Sequence, residues 1–140
     1  MPAHVTLLFP FADSTVVADR VDDVRDALAP FPPFECTFGE VAYFDRPRRY
    51  VYLRPEPREI LVAMIESLIA RFPEFRPYDG EVSGIVPHLS VASSDDEAAL
   101  HAIGGELAQA LPIRAHVRDV AIFEHVGGRR WCEHTSLSLA

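Results

Sequence analysis

Two short stretches hold the residues best suited to chemistry: PAHVT at residues 2–6 and VPHLS at residues 86–90. Each sets a histidine two positions before a hydroxyl, with one apolar residue between. Side chains alternate faces along an extended strand, so His4 and Thr6 share one face, and His88 and Ser90 likewise. Val5, Leu7, Leu89 and Val91 are left for the core. Two such pairs facing one cleft suit the hydrolysis of a phosphodiester. One neutral imidazole takes a proton from the attacking water, and one imidazolium gives a proton to the leaving oxygen. The two hydroxyls donate hydrogen bonds to the non-bridging oxygens as phosphorus becomes five-coordinate. This scheme needs no metal, no cofactor and no covalent intermediate.

The elements that must position these groups are legible as periodic runs. HVTLLF at 4–9 reads as a buried strand. Residues 13–28 read as an amphipathic helix with Val17, Val21, Val24 and Leu28 on one face and Asp13 or Ser14 as its N-cap. The proline-rich stretch 29–33 stops that helix. Residues 34–44 follow as a strand, with Cys36, Phe38, Val41 and Phe44 as core candidates. A turn at 45–49 leads to a strand at 50–55, and a helix over 58–72 aligns Ile60, Leu61, Met64, Leu68 and Ile69. The loop 73–86 then delivers the chain to a strand at 86–92.

The same order is then repeated. FGEVAYF at 38–44 matches VRDVAIF at 117–123. After His4 come a helix, a strand, the pair Arg48 and Arg49, and a strand. After His88 come a helix over 95–111, a strand over 113–124, the pair Arg129 and Arg130, and a strand over 131–139. Two similar units in one small chain imply a pseudo-two-fold arrangement, with His4 and His88 at equivalent places.

Composition bounds the rest. The chain has 140 residues, about half of them apolar, enough for one core and one domain. A formal net charge of −8 argues against an extended nucleic-acid or membrane surface, which needs a contiguous basic face. All 13 basic residues are arginine, which excludes lysine-adenylate, Schiff-base and P-loop lysine chemistry. Cys36 and Cys132 have no ligand-like spacing and read as reduced thiols. No apolar run approaches the roughly 20 residues needed to span a bilayer, and a cytoplasmic protein is expected.

With these motifs in place, the chain resembles the 2H phosphoesterase superfamily, in particular its bacterial 2′,5′ RNA ligase-like branch. The resemblance runs over all 140 residues and rests on PAHVTLLFPF, VYLRPEP, RFPEF followed by PYDG, and VPHLSVA. It implies an α+β fold, bilobal and pseudo-two-fold, with two antiparallel-rich sheets flanking a central cleft and helices packed outside. One lobe would comprise about 1–49 plus the C-terminal strand, the other about 50–140. It also implies that His4 and His88 are the catalytic pair and that Thr6 and Ser90 are the phosphate-oxygen donors. The substrates would be cyclic or 2′,5′-linked phosphodiesters at nucleotide or RNA ends, with joining as the reverse reaction; the alternative is a module that only binds such ends. No cofactor and no metal are implied, and a monomer or weak dimer is expected. His88 is preceded by a strand and a helix, and His4 by neither. Such a pair is therefore expected upstream of Met1, unless this is a shortened form with an exposed sheet edge.

Other candidates carry weaker signals. His134 precedes Thr135 and makes a third His-x-hydroxyl match, but it lacks the preceding proline and the following helix and reads as structural. His101, His116 and His125 show no acidic or histidine partner at ligand spacing. Arg48, Arg130 and Tyr78 are candidate substrate-binding residues: the arginines as local positive charge for one phosphate, Tyr78 as a ring that could stack on a base.

Overall fold

The computed structural model describes residues 1–46, 48–80 and 84–140. Pro47, in the 45–49 turn, and residues 81–83, in the 73–86 loop, lie outside the described residues. The longest alternating run, Phe34–Phe44, forms β1, and Tyr50–Glu56 forms β2, which folds back antiparallel on it from Phe44↔Tyr50 to Thr37↔Glu56. Gly39 is the extra residue of a bulge between Phe38 and Glu40. The helices α1 (Val21–Leu28) and α2 (Arg58–Arg71) flank this hairpin in sequence and pack on each other. Ser67 Oγ donates to the Ala27 carbonyl at 2.6 Å, and Arg71 pairs with Asp23. Strand β3 (Leu89–Ser93) joins β2, helix α3 (Glu97–Ala110) covers the sheet, and β4 (Ile113–Val117) pairs with β1, giving the antiparallel order β3-β2-β1-β4. A second hairpin, β5 (Asp119–Gly127) with β6 (Arg130–Ser138), forms its own two-stranded sheet.

The central strand β2 buries Val51, Tyr52 and Leu53 in succession, so both of its faces are covered. One apolar cluster joins α1 and α2 to both sheets, running from Val24, Leu28, Met64 and Phe72 through Cys36 and Leu53 to Ile122 and Leu137. Cys36 is buried and Cys132 exposed, and both are free thiols. Burial pushes the Cys36 thiol up from its ordinary pKa. Among the described residues, no helix is long and apolar enough to cross a membrane.

Adjacent glycines in α3 have opposite roles. A Cβ on Gly104 would run into the Tyr43 hydroxyl and lie 2.9 Å from Tyr43 Cζ, whereas one on Gly105 meets nothing within 4 Å. Tyr43 stacks on His101 at 4.6 Å and 16°, which limits its retreat. Gly105→Ala is therefore expected to stabilise by about 0.5–1 kcal/mol through helix propensity. Gly104→Ala should destabilise by about 1–3 kcal/mol through overpacking, and adding Tyr43→Ala should recover part of that loss. Urea midpoints of the four proteins test this; the same sign for both glycine variants would contradict the close approach.

Several expected elements take a different form. Among the described residues, 4–9 form no ladder with any strand, although Val5, Leu7 and Leu8 still pack on the core. The helix expected over 13–28 begins regular only at Val21. The Asp13 carboxylate accepts from the Thr15 amide at 2.8 Å and starts a turn, and a single 3₁₀ turn at Val17–Arg20 follows. The strand expected over 86–92 starts at Leu89, so His88 precedes it. Val91 is 40% exposed instead of facing the core, since a register shift opposite Val51 and Tyr52 leaves it as the unpaired residue. The strand expected over 113–124 divides at Arg118 into β4 and β5, one in each sheet. Helix α3 runs Glu97–Ala110 within the expected span, capped by the Asp96 carboxylate, which accepts from the Ala99 amide at 3.2 Å.

Candidate functional site

His88 stands immediately before β3, whose register on β2 pairs Leu89 with Leu53 and Ser90 with Tyr52. Its Nδ1–H donates to the Val86 carbonyl, two residues back, at 2.8 Å. Phe44 and Tyr52 stack on each other at 4.2 Å and 18°, and both meet the imidazole edge to face, at 5.1 and 5.8 Å. Arg58, at the start of α2, donates to the Ile85 carbonyl at 2.8 Å and ties down the backbone leading to His88. The half-buried ring is thus held in orientation by an aromatic wall and a backbone acceptor.

His4 is exposed, yet it makes the same bond: its Nδ1–H donates to the Pro2 carbonyl, again two residues back and again at 2.8 Å. A carbonyl oxygen can only accept, so in both rings the proton sits on Nδ1 when the ring is neutral. Nε2 is then the nitrogen left to take up or release a proton. In each ring the local backbone thus fixes the tautomer and leaves Nε2 as the nitrogen not bonded to its own chain.

Thr6, Leu7 and Phe9 from the first segment border a cavity of about 40 Å³ together with Tyr78, Val86 and His88. That space holds about one water, far less than a nucleoside needs. The cavity brings together Thr6, Tyr78 and His88. His4 and Ser90 do not border it and are exposed near its two motifs. Burial holds the Tyr78 phenol above its ordinary pKa, Tyr50 adds to this, and the adjacent Thr6 hydroxyl opposes it. Tyr78 is therefore a neutral hydrogen-bond donor at neutral pH.

The hairpin arginines lie elsewhere. Arg48 and Arg130 are exposed and do not border the cavity. Arg49 is structural: its Nε donates to Asp45 at 3.2 Å and its Nη1 to the Asp95 carbonyl at 3.1 Å. Two of the histidines expected to lack acidic partners have them: His116 meets Glu35 at 2.7 Å, because the β1–β4 register sets these distant residues opposite each other, and His101 lies 3.7 Å from Glu97, one helical turn back. His134 lies 3.9 Å from Glu124 on the neighbouring strand. Among the described residues, no three His, Cys, Asp or Glu side chains converge as metal ligands. Sequence reasoning missed Phe44 and Tyr52 as the wall behind His88, and Arg58 as its backbone anchor. The aromatic character of β1 and β2 is a signal for the wall; Arg58 leaves none.

Comparison with known proteins follows from this geometry. The profile of the 2′-5′ RNA ligase superfamily matches residues 1–129. A Geobacillus kaustophilus protein provisionally named a phosphoesterase is 28% identical over 96 residues, which are 65% of this chain and 51% of that protein. The match thus spans about half the length of this curated relative. Crystal structures of E. coli LigT superpose with TM-scores of 0.66 for the apo form and 0.62 for its complex with 3′-AMP. Each covers 98% of this chain and 76% of LigT, at 18% and 17% identity. These likenesses establish a LigT-like α+β fold.

Proposed function

The chain belongs to the 2′-5′ RNA ligase superfamily, and from that premise we propose that it is a phosphodiesterase acting on cyclic or 2′,5′-linked phosphodiesters at nucleotide or RNA ends. His4 and His88 are its proton-transfer pair, and Thr6 and Ser90 its phosphate-oxygen donors. The observation that carries this reading is the repeated Nδ1–H bond to the carbonyl two residues back, at 2.8 Å in both motifs. It leaves two Nε2 atoms available for exchange. Further support comes from Thr6 and His88 bordering one cavity, from the relative named as a phosphoesterase and from the LigT complex with 3′-AMP.

In the proposed reaction, the substrate phosphodiester lies between the two lobes. One Nε2 removes a proton from water as its oxygen bonds to phosphorus. The other Nε2–H protonates the ester oxygen as its bond to phosphorus breaks. A cyclic phosphate thereby opens to a monoester and a free hydroxyl. Thr6 and Ser90 donate hydrogen bonds to the non-bridging oxygens, where charge grows in the transition state. One imidazole accepts a proton and the other supplies one, so the scheme needs no metal.

Phosphorus-31 spectra of a 2′,3′-cyclic mononucleotide and of a 2′,5′-linked dinucleotide, each incubated with the protein, test the reading. Conversion of at least one to a phosphomonoester, at a rate unchanged by EDTA, is expected. Binding without conversion of either would instead make this a nucleotide-end binding module.

A further inference from the structure

The first motif lies on a segment without a strand partner, which raises the question of what holds it. Among the described residues, one backbone hydrogen bond ties residues 4–9 to the rest of the chain: the Tyr78 amide donates to the Phe9 carbonyl at 2.6 Å. The Tyr78 ring also packs on Phe9, with centroids 6.1 Å apart. Tyr78 also borders, with Thr6 and Phe9, the cavity that His88 lines. Two parts of one residue, its amide and its ring, therefore hold Phe9 at the end of the segment carrying His4, beside a cavity shared with Thr6.

The backbone at this point is unusual in a way that fits. Tyr78 lies at φ 50°, ψ 38°, and Asp79 at φ 53°, ψ 25°. This is the left-handed region, open to glycine and costly for a bulky side chain. A residue that only turned the chain would be better as glycine, as position 80 is, at φ 79°. A tyrosine persists in such a conformation where its surroundings over-determine it, and those surroundings are Thr6 and Phe9.

We infer that Tyr78 is the positioning residue of the first motif, fastening the segment His4–Phe9 so that Thr6 is presented to the cavity that His88 borders. The part of this inference that concerns turnover rests on the phosphodiesterase reading; the fastening does not.

Hydrogen exchange and turnover of the full chain separate the two. In Tyr78→Gly, which relieves the backbone and removes the ring, amides of Val5 to Leu8 should exchange about tenfold faster. Amides of β1 and β2 should keep their protection. With a 2′,3′-cyclic mononucleotide as substrate, kcat should fall on the order of 10²-fold through misplacement of the motif, with KM changed far less. Tyr78→Phe keeps the amide and the ring and should keep the protection of Val5 to Leu8. Unchanged exchange at these amides in Tyr78→Gly would overturn the inference. Faster exchange throughout the protein would do so too, since Tyr78 would then be a general structural residue. Faster exchange confined to Val5–Leu8, in a protein whose unaltered form turns over no phosphodiester, would support the fastening and refute the phosphodiesterase reading.

Discussion

His88→Ala is expected to lower kcat/KM on a cyclic phosphodiester by about 10²–10⁴-fold, the usual contribution of one positioned proton-transfer group. The fall should appear in kcat, because the imidazole acts on a proton that moves only as bonds to phosphorus form and break. Little of the effect should be structural. His88 precedes β3 without belonging to its ladder, and Phe44 and Tyr52 keep their stack without it. His4→Ala should produce a loss of the same order, since its ring makes the same Nδ1 bond. The chain contains its own control in His134, whose neighbour Thr135 completes a third His-x-hydroxyl match and whose partner is Glu124. His134→Ala should leave turnover within about twofold of the unaltered protein, in the range of surface substitutions away from special features. Turnover undiminished in His88→Ala, or equally diminished in His134→Ala, would contradict the assignment.

Phe72→Ala is expected to be the most destabilising of the single core truncations, by about 3–5 kcal/mol. Phe72 is 1% exposed and closes the end of α2, where its amide donates to the Leu68 carbonyl at 2.9 Å. Its ring meets Phe11 edge to face at 5.0 Å, and Phe75 lies 6.3 Å away. Phe75 in turn touches Phe11 at 5.2 Å, so the three rings form one cluster. Truncating Phe72 removes its own transfer free energy and leaves a cavity that neither neighbour can fill without losing its edge-to-face contact. Such a loss is a large fraction of the 5–15 kcal/mol typical of whole domains. Because Phe11 follows the first motif by a few residues, the same substitution should also loosen the segment carrying His4. Urea unfolding measures the first effect, and a loss below about 1 kcal/mol would mean that the cluster carries little of the stability.

How much of this was legible in the sequence follows from the range of the physics involved. Strand β1, strand β2 and the helices α2 and α3 have strong periodic patterns, and they form within a residue or two of where the pattern sets them. A strand, however, exists only with a partner, and no property of HVTLLF itself reports that, among the described residues, no ladder forms on it. The division of 113–124 at Arg118 has the same origin, since which sheet a segment joins is decided by distant neighbours. The unpaired Val91 arises from a register shift on β2, and the hydrogen bond of His116 with Glu35 from a register between residues 81 apart. Both are contacts that spacing along the chain cannot report. The repeat did identify two histidine motifs as equivalent, and the structure gives their rings equivalent hydrogen bonds. The backbone acceptors at Pro2 and Val86 were not visible, because carbonyls carry no sequence identity. Arg58 and Tyr78 act through backbone atoms too, and for the same reason their positioning contacts emerge only in three dimensions.

The dependence of kcat/KM on pH, measured for the unaltered protein and for His4→Ala and His88→Ala, tests the central claim most directly. An acid and a base working together predict a bell for the unaltered protein, with activity lost on one side by protonating the base and on the other by deprotonating the acid. Each single substitution should lower the rate and abolish one limb, a different limb for each histidine, while EDTA leaves all three profiles unchanged. A bell that keeps both limbs in either variant would contradict the assignment of His4 and His88 as the proton-transfer pair.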